Sequence, residues 1–299
     1  MDNAGLVREY KTFLKLEKSL SSNTVEAYID DLDKLLNHLN TVGIQPVDTT
    51  LQDLQEMVGG LHELGINPRS QARIVSGIKS FYRFLLIEKY INKDPTELLE
   101  SPKIGLKLPT FLSVDEINRI IGAIDLSQKE GQRNRAILET LYSCGLRVSE
   151  LINIKFPDLY LDEGFIRVEG KGKKQRLVPV SPVAIKEINF YLDDRQRIEV
   201  KHGYEDVLFL NRRGAALTRV MIFYIIRQHC AIAGIHKTVS PHTFRHSFAT
   251  HLLEGGANLR AIQQMLGHEK ITTTEIYTHL DRDFIRAEIL QHHPRNQDL

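Results

Sequence analysis

Apolar residues recur at helical spacing through roughly the first 92 residues of the chain. Leu6, Tyr10, Phe13, Leu14 and Leu16 form one run. After the polar stretch Ser19–Thr24 a second run carries Val25, Tyr28, Ile29, Leu32, Leu35, Leu36 and Leu39, and Gly43 ends it. The pattern predicts a third helix over Leu51–Leu64, weakened by Gly59 and Gly60. A fourth starts near Pro68, a residue suited to a first helical turn, and runs through Ile74, Ile78, Phe81, Tyr82, Leu85 and Leu86. These four helices are expected to pack as one unit over residues 1–93.

Between Asp94 and Pro109 the periodicity dissolves. Pro95, Pro102, Gly105 and Pro109 punctuate a basic, extended stretch that reads as an interdomain linker, 94–109. Ser113-Val-Asp-Glu116 then makes a capping box, with Leu112 placed as its staple residue. A further helix is expected from about Arg133 to Tyr142. Phe165–Glu169 and Gln175–Val180 alternate as strands around Gly170-Lys-Gly-Lys-Lys174, which reads as a hairpin. Helices resume near Pro182 and dominate to the end. The expected fold is mainly α: a four-helix N-terminal domain, then an α-rich domain over 110–299 with a small β-hairpin. Near the end, Phe284, Ile285, Ile289 and Leu290 give a short apolar helical face, followed by a polar tail holding His292 and His293.

Composition adds exclusions. With 42% apolar and 26% charged residues over 299 positions, the chain reads as an ordinary globular protein with material for two cores. No apolar run is long enough to span a bilayer, and the charged N-terminus lacks the apolar region of a secretory signal, so a cytoplasmic protein without membrane insertion is expected. Cys144 and Cys230 make no disulfide framework and read as small buried hydrophobes in a reducing cytosol. The formal net charge of +1 predicts no nucleic-acid partner, so a DNA-binding reading must rest on where charges fall. Up to Pro109 there are 13 Lys+Arg against 15 Asp+Glu; the remainder carries 26 against 23. Locally, Arg167, Lys171, Lys173, Lys174 and Arg176 cluster around Glu169, a run that alone reads as a solvated turn.

Three segments carry candidate chemistry. In Cys144-Gly-Leu-Arg-Val-Ser-Glu-Leu151, Arg147 stands between a helix end and a helix start; its i,i+3 spacing to Glu150 is by itself that of a surface ion pair. In Pro241-His-Thr-Phe-Arg-His-Ser-Phe-Ala-Thr-His251, His242 and Arg245 share one helix face. In the third, Leu266-Gly-His268 is followed nine residues later by Tyr277. His242, His246, His251, His268, His279, His292 and His293 concentrate seven of the chain's 12 histidines near its end. His242 and His246 could face one metal ion. However, Thr243 stands where a metalloprotease helix needs glutamate, and no Asp or Glu lies between His242 and His251. Gly170-Lys-Gly-Lys-Lys lacks the spacing of a phosphate-binding P-loop. Neither a metal nor a nucleotide cofactor is therefore expected. His38, His62, His202 and His236 read as structural or exposed, and His246 and His251 as packing or hydrogen-bonding residues.

In order and spacing, the Arg147 segment, the Gly170-Lys-Gly hairpin, His242-x-x-Arg245, Leu266-Gly-His268 and Tyr277 resemble the tyrosine recombinase (phage integrase) family, most closely its bacterial XerC/XerD-type members. The resemblance covers nearly the whole chain. It implies a SAM-like N-terminal DNA-binding domain and a C-terminal catalytic domain that close as a C-shaped clamp on duplex DNA. It implies Tyr277 as nucleophile, Arg147 and Arg245 on the phosphate, His268 donating a further hydrogen bond, and His242 as general base. Lys171 is the implied general acid, as the first lysine after glycine, although Lys173 and Lys174 are also candidates. The residue types suit the reaction: a phosphorane's charge calls for fixed guanidinium forks, and a phenol with pKa near 10 needs a base. A 3′-phosphotyrosine conserves the ester bond for rejoining, so no energy source is required.

The resemblance further implies a tetramer on two DNA sites, formed with itself or a paralogous recombinase, and exchange through a Holliday junction. The implied task is chromosome dimer resolution on the nucleoid, with an FtsK-type DNA translocase as partner. An integrase or resolvase of a mobile element, and a DNA-binding protein that does not cut, are the rival readings. The C-terminal helix is expected to dock on a neighbouring protomer, so that a chain ending at Asp281 would fold and bind a single half-site nearly normally but lose cooperative filling of a full site and most recombination.

Overall fold

Each apolar run of the N-terminal region becomes a helix: α1 (Asn3–Leu16), α2 (Ser22–Val42), α3 (Leu51–Glu63) and α4 (Pro68–Ile87) in a computed structural model that describes residues 3–103, 105, 110–170, 172, 174–267 and 279–296. The ends follow from local chemistry. Ser21 caps α2 by accepting from the Thr24 amide, Thr50 and Asp53 form a capping box on α3, and Asn67 caps α4 ahead of Pro68. Tyr10, Phe13, Phe81 and Phe84 interlock at the centre of this unit, with ring centroids 5.3–6.5 Å apart. By its contacts the chain divides into two compact units, Met1–Lys107 and Leu108–Leu299.

The second unit is built around α6 (Gly131–Cys144), which buries every residue from Ala136 to Cys144. A helix buried on every side needs elements packed all round it. It is enclosed by α5 (Val114–Gly122), α8 (Pro182–Arg195) and α10 (Pro241–Glu254), while α7 (Val148–Ile152), α9 (Arg219–Ile232), α11 (Leu259–Leu266) and α12 (His279–His292) complete the helical shell. The Ser113–Glu116 capping box forms as the sequence predicts, and Leu112 and Ile117 are both fully buried beside it. The predicted strands appear as β2 (Phe165–Glu169) and β3 (Gln175–Pro179), antiparallel with Glu169 opposite Gln175. A third strand, β1 (Leu159–Tyr160), pairs with β2; at two residues it is too short to show alternation in sequence. The mainly helical fold with one small sheet is the predicted class.

The tail departs from expectation. Ile285 and Ile289 of α12 are buried in the core of their own unit, leaving Phe284 and Leu290 half exposed. His293 is wholly enclosed rather than part of a polar tail, its ring 4.8 Å from that of Tyr142 and 5.5 Å from that of Phe248. Burial, then the charge of Arg295, holds its pKa down to about 3, so the ring is neutral. Arg295 donates to the buried carboxylate of Glu139 at 2.8 Å and lies over the Tyr142 ring. The physical reason for the departure is that α6 presents a slot beside Tyr142 and a buried acid that needs a counterion, and the tail supplies both the ring and the cation.

This pairing has a pH signature. Burial raises the Glu139 carboxyl above its usual value, and Arg295 opposes that rise. In Arg295→Met the folded-state pKa should climb further above the unfolded one. Stability is then retained where Glu139 is protonated in both states and lost as pH rises through the folded pKa. The deficit should be small near pH ~4 and reach about 3–5 kcal/mol near neutrality. Urea unfolding at the two pH values measures it; equal deficits would refute the buried acid as cause.

Candidate active site

The site grows from the end of α6. Gly145 takes a left-handed φ of 57° in close contact with α10, where an added Cβ would lie 2.3 Å from the Phe248 ring. Only glycine lets the chain turn there. The backbone then reverses through Leu146, and Arg147 emerges as the N-cap of α7 in extended conformation. Its amide donates to Glu150 Oε2 and its Nη1 to Glu150 Oε1, both at 2.8 Å. The i,i+3 pair is therefore no surface ion pair: the Glu150 side chain is 1% exposed.

Glu150 is buried because a second arginine reaches it from β3. Arg176 donates through Nη1 to Oε1 at 2.8 Å and through Nη2 to Oε2 at 2.9 Å, while its Nε donates to the Met265 carbonyl at 2.8 Å. Burial pushes the Glu150 carboxyl up, but the hydrogen bonds and charge of Arg176, with those of Arg147, hold it below its usual value. Arg245 enters from α10. It donates to the carbonyls of Gly145 (2.8 Å) and Leu266, and its Nη1 stands 3.8 Å from Glu150 Oε2. Arg147 Nη2 donates to the Gly267 carbonyl at 3.3 Å. Gly267 caps α11 with φ 64°, and an added Cβ would sit 3.2 Å from the Arg176 guanidinium.

Three guanidiniums thus surround one carboxylate, leaving a surplus of two positive charges. Burial, then the nearby charge of Arg147, with Arg176 adding to it, lowers Arg245 to about 10 despite Glu150 opposing. The guanidinium stays charged at neutral pH in surroundings that disfavour its charge, a condition an incoming anion relieves. Arg147, with a third of its side chain exposed, can meet such an anion.

Among the sequence-predicted residues, Arg147 and Arg245 come together around Glu150. His242 is exposed one turn before Arg245 on α10, whose start is fixed by Pro241 and the Ser240–Thr243 capping box. Lys171, His268 and Tyr277 lie outside the described residues. The described neighbours of two of them reach the cluster: a Cβ on Gly170, next to Lys171, would be 3.5 Å from Arg176 and 3.8 Å from Glu150 Oε1, and one on Gly267, next to His268, would be 3.2 Å from Arg176. His251 is a hydrogen-bonding residue, 2.8 Å from the Tyr142 hydroxyl, and His246 meets the Phe111 ring edge-on. Among the described residues no group of three His, Cys, Asp or Glu side chains could hold a metal, and no helix could cross a membrane.

The second unit is thus a helical domain carrying an arginine cluster with positive charge to spare for an anion. The phage integrase family matches residues 110–283, and the N-terminal SAM-like domain of phage integrases matches residues 7–89. The chain is 45% identical to "Tyrosine recombinase XerD" of Staphylococcus haemolyticus over 97% of its own length and 99% of that protein's. Against "Tyrosine recombinase XerD" of Chlorobaculum tepidum it is 43% identical, covering 96% of this chain and 95% of the relative. Among solved structures, the XerH site-specific recombinase bound to its difH substrate before cleavage shares 25% identity at a TM-score of 0.68, over 93% of this chain and 82% of that one. The chain belongs to the phage integrase family and is a tyrosine-type site-specific DNA recombinase.

Proposed function

We propose that this recombinase cuts and rejoins duplex DNA through Tyr277, with the scissile phosphate seated on Arg147 and Arg245. The observation that carries the reading is the surplus of two positive charges around the buried Glu150. A site of that charge, with one guanidinium partly exposed, suits a phosphodiester whose charge grows toward the phosphorane. The Tyr277 phenolic oxygen attacks phosphorus and its proton passes to His242. The bond from phosphorus to the 5′ oxygen breaks, and that oxygen takes a proton from Lys171. The product is a 3′-phosphotyrosine and a free 5′ hydroxyl, and attack by another strand's 5′ hydroxyl reverses the step. His268 adds a donor to the phosphate. Each arginine on such a charge can supply about 10³–10⁵ in rate, by analogy with arginine fingers, and each positioned acid or base about 10²–10⁴.

In this reading residues 1–93 serve as a DNA-binding domain, 94–109 as linker and 110–299 as the catalytic domain. Four protomers act on two sites, with an identical or paralogous recombinase as partner. Resolution of chromosome dimers on the bacterial nucleoid, in the cytoplasm and under an FtsK-type translocase, is the cellular task that the likeness to XerD supports.

The test is a nicked suicide substrate incubated with the full chain in excess EDTA. Guanidinium and ammonium groups supply the positive charge that a metal provides elsewhere, so a covalent protein–DNA adduct is expected at undiminished rate. An adduct that forms only after magnesium or zinc is restored would overturn the assignment.

A further inference from the structure

Arg176 holds none of the roles assigned so far, yet it is the most completely committed cation of the site. Only 7% of its side chain is exposed, and its Nε, Nη1 and Nη2 donate to Met265 O and to the two Glu150 oxygens. It is turned toward the protein, not outward. Glu150 itself is needed locally, because it fixes both the amide and the guanidinium of Arg147. A carboxylate at that point also competes with a phosphate for the same donors, lying as it does 3.8 Å from Arg245.

We propose that Arg176 is a positioning residue whose task is to neutralise Glu150, so that Arg147 and Arg245 meet the DNA phosphate with their positive charge uncancelled. The inference rests on the reading of this cluster as the phosphate site. With Arg176 the cluster holds three cations and one anion; without it, two cations face one anion, and the carboxylate turns its freed lone pairs to Arg147 and Arg245. The planar fork lets one side chain meet both carboxylate oxygens and a carbonyl at once, whereas an ammonium would match it in charge but hold the carboxylate less rigidly. Gly267 permits the guanidinium's close approach beneath α11, since a Cβ there would lie 3.2 Å from Arg176 Cζ.

Charge arithmetic supplies the test. Arg176→Met drops the surplus from two to one; adding Glu150→Gln returns it to two, and the glutamine oxygen can still accept from Arg147. Single-turnover formation of the covalent adduct on a suicide substrate should slow roughly a hundredfold in Arg176→Met, as expected for one charge lost near a phosphate in a partly buried site. The double variant should return to within about tenfold of the parent. A merely structural role would show instead as a lowered thermal midpoint with an unchanged rate per folded molecule, because deleting a stranded buried charge restores stability as well. Full activity in Arg176→Met, or a double variant as slow as the single one, would sink the proposal. Should Arg176→Met fail to fold in a thermal scan, Arg176→Lys keeps the charge and should stay within about tenfold of the parent; a hundredfold loss there would overturn the charge argument. Arg147→Ala separates the two levels. If it cleaves normally, the cluster is not the phosphate site; if it is inactive while Arg176→Met is normal, only the role of Arg176 fails.

Discussion

Tyr277→Phe is expected to form no covalent adduct with DNA while binding its site within about threefold of the parent. The substitution removes one oxygen, the attacking atom, and leaves the ring. All of the chemical loss should therefore appear in the covalent step, since that oxygen makes its decisive interaction only as the reaction proceeds. Other tyrosines are poor substitutes. Tyr10, Tyr82, Tyr142 and Tyr191 are fully buried, and burial pushes each phenol up, away from ionisation. Tyr224 is exposed on α9 and makes a suitable control: Tyr224→Phe should still form adduct. Suicide substrates resolved on denaturing gels, with gel shifts for affinity, decide the matter. An adduct from the Phe variant would remove Tyr277 from the mechanism.

How far the sequence revealed this molecule depended on the period of the signal. Amphipathic helices such as α2 and α4 show one apolar stripe each, and their ends carry Ser, Asn, Pro and Gly in positions that satisfy the terminal amides and carbonyls; both were legible. The helix α6 was legible only as an approximate span, because a helix buried on every side has no polar face to mark its limits. Motif order picked out Arg147 and Arg245, which the structure brings together, but the residue that joins them was misread. Spacing places Glu150 beside Arg147 and is silent on whether the pair meets water. Only the arrival of Arg176 from β3 buries it. One signal for Arg176 did exist: it shares a strand face with Val178, which alternation assigns to the core, so an arginine there implies a buried acid as partner. The tail was misread for a similar reason. A polar His-His-Pro-Arg stretch looks solvated until Glu139 is known to be enclosed.

A chain ending at Asp281 is expected to fold poorly rather than to lose cooperativity alone. It would remove Ile285 and Ile289, whose burial is worth about 1.5–3 kcal/mol each. It would also remove the His293 ring from between Tyr142 and Phe248, and strip the buried Glu139 of the Arg295 guanidinium. A buried charge that loses its partner costs about 3–5 kcal/mol. Together these losses rival the entire 5–15 kcal/mol stability of a typical domain. The damage should reach the site as well. Tyr142 and Phe248 lie on α6 and α10, the helices that deliver Arg147 and Arg245, and Phe248 fills the space that Gly145 leaves open. Adduct formation on a single half-site, which needs no cooperative assembly, should therefore fall together with the unfolding midpoint. Ile289→Ala is the graded version, with a loss of about 2–5 kcal/mol and a parallel drop in half-site cleavage. A truncated chain that melts at the parent's temperature and binds a half-site normally, yet fails to fill a full site, would show that α12 acts on a neighbouring protomer instead of its own core.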